Sequence, residues 1–139
     1  MRTLEPSYEI VPHTAELAVR CRAASFGGLL IEAGRALAEI QLRGMAGVPA
    51  AGWRRLEVRA GDLTALLVEW LNELVYQAET TWWVATDFAL DEAGPDRAVI
   101  RARGVDLDRA PGLVKAATYH GAGVREVPGG FEGEVVLDV

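Results

Sequence analysis

The chain repeats itself. Shifted by 37 residues, Ser25 falls on Asp62, Phe26 on Leu63, Leu29 on Leu66, Leu30 on Leu67, Glu32 on Glu69 and Leu37 on Leu74. Upstream, Val19 falls on Leu56, Cys21 on Val58, Arg22 on Arg59 and Ala23 on Ala60. Each half reads as an alternating strand, a capping residue and an amphipathic helix. The first strand covers Glu16–Ala23, and its helix runs from Phe26 to about Leu42. The second strand covers Trp53–Ala60, and its helix runs from Leu63 to near Glu79. This pattern fits an internal β-α duplication, or amphipathic helices matched by convergence.

Other segments read as strands. Tyr8–Pro12 is extended, and Gly44–Gly52 is a loop around Pro49. Trp82–Leu90 and Ala98–Val105 flank a turn at Ala93-Gly94-Pro95-Asp96, and Phe131–Val139 is a last strand. Val114–Val127 reads as a hairpin broken at Gly121-Ala122-Gly123. Two strand–helix units followed by consecutive strands predict an α+β fold. Two helices would pack on one face of a largely antiparallel or mixed sheet. At 139 residues, the chain has the length of a single domain, 1–139.

Charge narrows the function. The net charge is −6, so the chain as a whole repels phosphate, and direct RNA binding by this chain alone is not expected. A divalent cation or a basic protein surface suits it better. A single cysteine, Cys21, excludes an internal disulfide and any Cys-cluster zinc site. Met1–Ser7 has no apolar run and no stretch approaches the ~18 residues of a membrane span, so no membrane association and a cytoplasmic location are expected. Thirteen of the 14 basic residues are arginine. The one lysine, Lys115, marks a place where a compact ammonium serves differently from a planar guanidinium.

Polar residues gather in three strand-like places: Pro12-His13-Thr14-Ala15-Glu16, Lys115-Ala-Ala-Thr-Tyr-His120 and Leu137-Asp138-Val139. Asp138 beside the Val139 carboxyl, with Glu16 nearby, would gather hard oxygen donors. Such a set suits Ca²⁺, Mg²⁺ or Mn²⁺ rather than Zn²⁺. No Gly-x-Ser-x-Gly elbow, Walker loop or dinucleotide fingerprint is present. Gly27-Gly28 opens a helix and permits an anion there. Glu69 and Glu73 share a helix face, either solvated or facing a basic partner. Of the adjoining Trp82 and Trp83, one should point outward.

Four segments in order resemble the archease family. They are Tyr8-Glu9 with His13-Thr14-Ala15-Glu16, the helix Leu66–Leu74, the segment Lys115-Ala-Ala-Thr-Tyr-His120-Gly121, and the ending Val136-Leu137-Asp138-Val139. The resemblance implies a small cytoplasmic, non-catalytic partner of an RtcB-type RNA ligase. That ligase joins a 2′,3′-cyclic phosphate or 3′-phosphate to a 5′-hydroxyl using GTP and a divalent metal. The helper would promote guanylylation and multiple turnover in tRNA splicing and RNA repair. It also implies a metal site at Glu16, Asp138 and the Val139 carboxyl, Ca²⁺ being favoured over Mg²⁺ or Mn²⁺. His13, Lys115 and His120 are the further functional candidates. Glu16 stands where the family pattern has Asp; the longer arm suits flexible Ca²⁺ coordination better than strict Mg²⁺ geometry. The competing readings are a general chaperone or modulator of an RNA-modifying enzyme, such as a tRNA methyltransferase, and a small metal-dependent hydrolase using Glu16, Asp138 and His120.

Overall fold

Ser25 and Asp62 start the two helices, as the repeat requires. In the computed structural model, which describes residues 2–139 and only the backbone of His13, both caps sit in extended backbone. Ser25 Oγ accepts from Gly28 N–H at 3.0 Å, and Asp62 Oδ1 accepts from Ala65 N–H at 2.8 Å. Such caps are each worth about 1 kcal/mol. The Ser25 hydroxyl thus occupies one of the donors that the Gly27-Gly28 reading offered to an anion. Helix α1 spans Phe26–Gln41 and α2 spans Leu63–Thr81.

The strands are β1 Ser7–His13, β2 Glu16–Ala23, β3 Gly47–Pro49, β4 Arg54–Arg59, β5 Trp83–Ala93, β6 Arg97–Leu107, β7 Ala116–Val127 and β8 Gly130–Asp138. Every pairing is antiparallel, so the α+β reading holds. The strands divide between two sheets rather than forming one. The first has the order β1-β2-β8-β7. In the second, β6 is the hub, with β3 and β4 on one edge and β5 on the other. The two repeats therefore enter different sheets, β2 in the first and β4 in the second.

Both helices pack against the inner faces of both sheets. Alternation along β2 buries Val19, Cys21 and Ala23 inward, and along β8 it buries Val135 and Leu137. From the second sheet, Leu56, Val58, Ile100 and Ala102 join the same core. Trp70 of α2 lies at its centre, and its indole N–H donates to Leu30 O at 2.8 Å, so the ring is buried with its one polar atom satisfied. The two neighbouring tryptophans divide as their adjacency demands. Trp83 is buried in β5, while Trp82 ends α2 in left-handed backbone and stays exposed.

Val114–Val127 is not a hairpin. Its residues Ala116–Val127 form one strand, β7, with an irregularity between Thr118 and Gly123, where five steps of β7 oppose two of β8. The extra residues bulge rather than reverse the chain, because Gly121 supplies positive φ within a strand that stays paired at both ends. In the second sheet β5 presses tightly on β6: a Cβ on Gly104 would stand 1.9 Å from Val84 O. Only glycine fits there, beside the β5 irregularity between Ala85 and Asp87.

Candidate functional site at one end of the first sheet

The antiparallel register builds this end row by row. His13 is the cross-strand partner of Glu16, Glu16 of Asp138, and Asp138 of Ala116. Directly paired residues lie on the same face of a sheet. Odd-numbered residues of β8 face the core, so Asp138 and its partner Glu16 lie on the outer face. Asp138 is exposed and Glu16 half-buried. The tight return from β1 to β2 passes through Ala15, whose φ of 58° sets the turn directly before Glu16. Lys115 joins this end through its backbone: its N–H donates to Asp138 O at 2.8 Å. Its side chain is exposed and has no ion pair among the described residues. Val139, next to Asp138, packs its side chain against the core.

The structure thus gathers Glu16, Asp138, Val139 and Lys115 at one end, together with the backbone of His13. The His13 side chain lies outside the described residues. His120 stands apart from the row, exposed in the β7 bulge beyond Thr118, whose partner is Val136. A Cβ on Gly121 would reach Val136 Cγ2 at 3.6 Å, so the bulge lies close to Val136.

Charge sets Glu16 and Asp138 apart from their neighbours. On the same outer face Glu132 is held by Arg22 at 2.7 Å and Arg125 at 2.6 Å, and Glu134 by Arg20 at 3.3 Å. The two guanidiniums hold the Glu132 carboxyl below the usual carboxylate range, the hydrogen bond from Arg125 contributing most. Glu16 and Asp138 take no ion pair among the described residues. Like charges directly opposite each other on a sheet destabilise it. A pair of carboxylates is chemically suited to a hard cation with oxygen ligands. Among the described residues no three His, Cys, Asp or Glu side chains are grouped closely enough to hold an ion. The two carboxylates therefore need a further donor, which a main-chain carboxyl, a carbonyl or water can supply.

One positioning residue is not evident in the sequence. Asn72, midway along α2, pairs with the backbone of Ala117. Its Oδ1 accepts from Ala117 N–H at 2.8 Å, and its Nδ2 donates to Ala117 O at 3.0 Å. Two residues on, the Tyr119 hydroxyl donates to Glu69 Oε1 of the same helix. This contact raises the Tyr119 pKa. Helix α2 thus clamps the segment that carries Lys115 and His120. Glu69 and Glu73 are half-buried rather than a solvated face, and Glu73 Oε1 accepts from Gln77 Nε2 at 2.9 Å. The available signal was an amide inside an otherwise leucine-rich helix.

The fold and site define a small α+β protein with an acidic end, held together by two β-α units. The archease protein family (MTH1598/TM1083) matches residues 8–139. "Protein archease" of Methanopyrus kandleri is 32% identical over 139 residues, covering 95% of this chain and 99% of that protein. "Protein archease" of Methanosarcina barkeri is 28% identical, covering 95% of each. The chain belongs to the archease family. Two solved structures share its fold. Protein 1598 of Methanobacterium thermoautotrophicum has a TM-score of 0.73 at 22% identity, covering 95% of this chain and 98% of that one. The Thermotoga maritima protein TM1083, described as an archease and possible chaperone, has a TM-score of 0.62 at 18% identity, covering 94% and 96%. No helix among the described residues is long and apolar enough to cross a membrane.

Proposed function

We propose that this chain is the cytoplasmic, non-catalytic activator of an RtcB-type RNA ligase, promoting its guanylylation and multiple turnover in tRNA splicing and RNA repair. The observation that carries the reading is the Glu16–Asp138 pair, which takes no ion pair among the described residues and lies beside Lys115 at one end of the first sheet in an archease-family chain. Family membership supports a helper role, and the description of the Thermotoga neighbour as a possible chaperone points the same way. An acidic chain also suits a partner whose RNA-binding surface is basic.

In this reading Glu16, Asp138 and the Val139 carboxyl hold a divalent ion, with Ca²⁺ favoured and Mg²⁺ or Mn²⁺ as alternatives. When bound, the ion neutralises the carboxylates and offers a positive centre to a phosphate oxygen. The chain's own residues do the rest. The β2–β8 register holds the two carboxylates opposite each other. Asn72 and Glu69 fix β7, and Lys115, whose N–H donates to Asp138 O, presents an exposed side chain at the same end. His13 and His120 are further candidates for contact with the ligase.

The test is guanylylation of the ligase with labelled GTP, with and without this protein. The reading expects faster accumulation of the guanylylated ligase with the wild type and little gain with Lys115→Ala. An unchanged rate with wild type and an active ligase would overturn it and favour a modulator of a different RNA-modifying enzyme.

A further inference from the structure

The outer face of the second sheet gathers five of the chain's thirteen arginines, each ion-paired with a carboxylate of β4 or β5. On β4 and β6, Arg55, Arg59, Arg97, Arg101 and Arg103 share this face with one acid, Glu57. Arg55 lies directly opposite Arg101, and Arg59 opposite Arg97. Opposed like charges cost a sheet stability. Here Glu57 and the β5 carboxylates Asp87, Asp91 and Glu92 offset that repulsion.

One corner of the face is built further. Trp53 directly precedes β4 and keeps 42% of its surface exposed. The Arg103 guanidinium lies 4.8 Å and that of Arg101 5.7 Å from its ring centroid, both within cation–π range. Carboxylates of β5 hold these arginines from the other side. Asp87 accepts from Arg103 Nε at 3.0 Å, and Asp91 accepts from Arg101 Nε at 2.9 and 3.0 Å. Among the described residues neither arginine spends an Nη donor in a hydrogen bond. Each guanidinium is therefore fixed through Nε and stacked near an indole, with its outer fork of donors available. That fork matches the paired oxygens of a phosphate.

We propose that Trp53, Arg101 and Arg103, with Arg55 alongside, form a binding site for the phosphate and base of an unpaired nucleotide in a single-stranded nucleic acid. The exposed indole decides between oxyanion classes: a base has a flat face to stack on it, and an acidic peptide side chain does not. Single strands leave that face open, whereas a duplex buries it. The net charge of −6 argues against nucleic-acid binding by the chain as a whole; this local site alone departs from that expectation, and the acidity of the rest keeps the affinity modest and strongly dependent on salt. The site is separate from the Glu16–Asp138 end and does not rest on the ligase reading.

The experiment needs only this protein. The full chain, labelled with ¹⁵N, is titrated at low salt with a short unstructured oligouridylate, and the four indole N–H signals are followed. The proposal expects the Trp53 signal to move and those of buried Trp70 and Trp83 to stay. It expects affinity to fall about tenfold or more in Trp53→Ala and in Arg101→Gln/Arg103→Gln. Arg101→Lys/Arg103→Lys, which keeps the charge but loses the forks, should also weaken binding. Inorganic phosphate and uridine monophosphate are run alongside; binding of the oligonucleotide should exceed both. No binding of the oligonucleotide at low salt, or binding that all three variants retain, would overturn the proposal. Equal binding of polyglutamate would also overturn it and reassign the face to an acidic protein segment.

Discussion

The side-chain amide of Asn72 stands in for a missing neighbouring strand: it pairs with both the N–H and the C=O of Ala117, at 2.8 and 3.0 Å. β7 is the edge of its sheet, and this amide satisfies two polar groups that the edge would leave open. Asn72→Ala should therefore lower the unfolding free energy by about 1–3 kcal/mol, the cost of leaving part-buried polar groups unpaired. In Asn72→Asp the acceptor for Ala117 N–H remains, but the donor is lost and a carboxylate faces a carbonyl. That arrangement raises the folded-state pKa of the new acid, so the variant should recover stability as the pH falls and its carboxyl gains a proton. Urea melts of both variants across pH check this. An alanine variant as stable as wild type would remove the clamp from the account.

Cys21 should be inert in the folded protein. Its side chain is buried, its thiol donates to Gly133 O at 3.7 Å, and burial, aided by the nearby Glu32 charge, pushes its pKa up to about 12. The thiolate is the reactive form, so a disulfide reagent at neutral pH should label Cys21 only after denaturant is added. Stoichiometric labelling of native protein within minutes would contradict the packing described.

Glu57 links stability to acid. It accepts hydrogen bonds from Arg97 and Arg59, which lower its pKa from 4.5 to about 2. A carboxylate whose pKa is depressed on folding adds stability at pH values above 4.5, and that contribution is lost as the pH falls from 4.5 through about 2. Glu57 and its partners are solvent-facing, so added salt should shrink the effect. Glu57→Gln should flatten this part of the stability-against-pH curve measured by thermal melts. An identical acid limb in the variant would show that other carboxylates govern it.

Much of the fold was legible because the repeat fixes several things at once. Ser25 and Asp62 were both readable as caps, and both cap in the structure. The turn at Ala93–Asp96 was readable because Gly-Pro interrupts two alternating runs, which became β5 and β6. The division into two sheets was not legible. It depends on β6 pairing with three strands, one of them only Gly47–Pro49, too short to show a period. The β7 bulge misled for a related reason: Gly121-Ala122-Gly123 looks like a reversal, and only the pairing with β8 on both sides shows that the strand continues. Of the candidate site, composition could suggest carboxylates near Val139, but the pairing of Glu16 with Asp138 is a property of the register. Asn72 was hidden because a polar residue in a helix is ordinarily solvent-facing, and its role appears only once β7 lies beside α2.

A cation at the Glu16–Asp138 end should relieve the repulsion between opposed carboxylates. Ca²⁺ is therefore expected to raise the melting temperature of the wild type in a concentration-dependent way. Asp138→Asn should abolish that response. Melting curves in chelator and in millimolar Ca²⁺, Mg²⁺ and Mn²⁺ provide the measurement. Equal shifts in wild type and Asp138→Asn would remove the metal from this end of the sheet.

The central claim is tested most directly by RNA ligation with an RtcB-type ligase and RNA in excess, comparing no added protein, wild type and Asp138→Ala. The account predicts that the wild type converts a ligase that stalls after one turnover into one that turns over repeatedly, while the variant leaves it stalled. A ligase that is demonstrably active and gains nothing from the wild-type protein would contradict it.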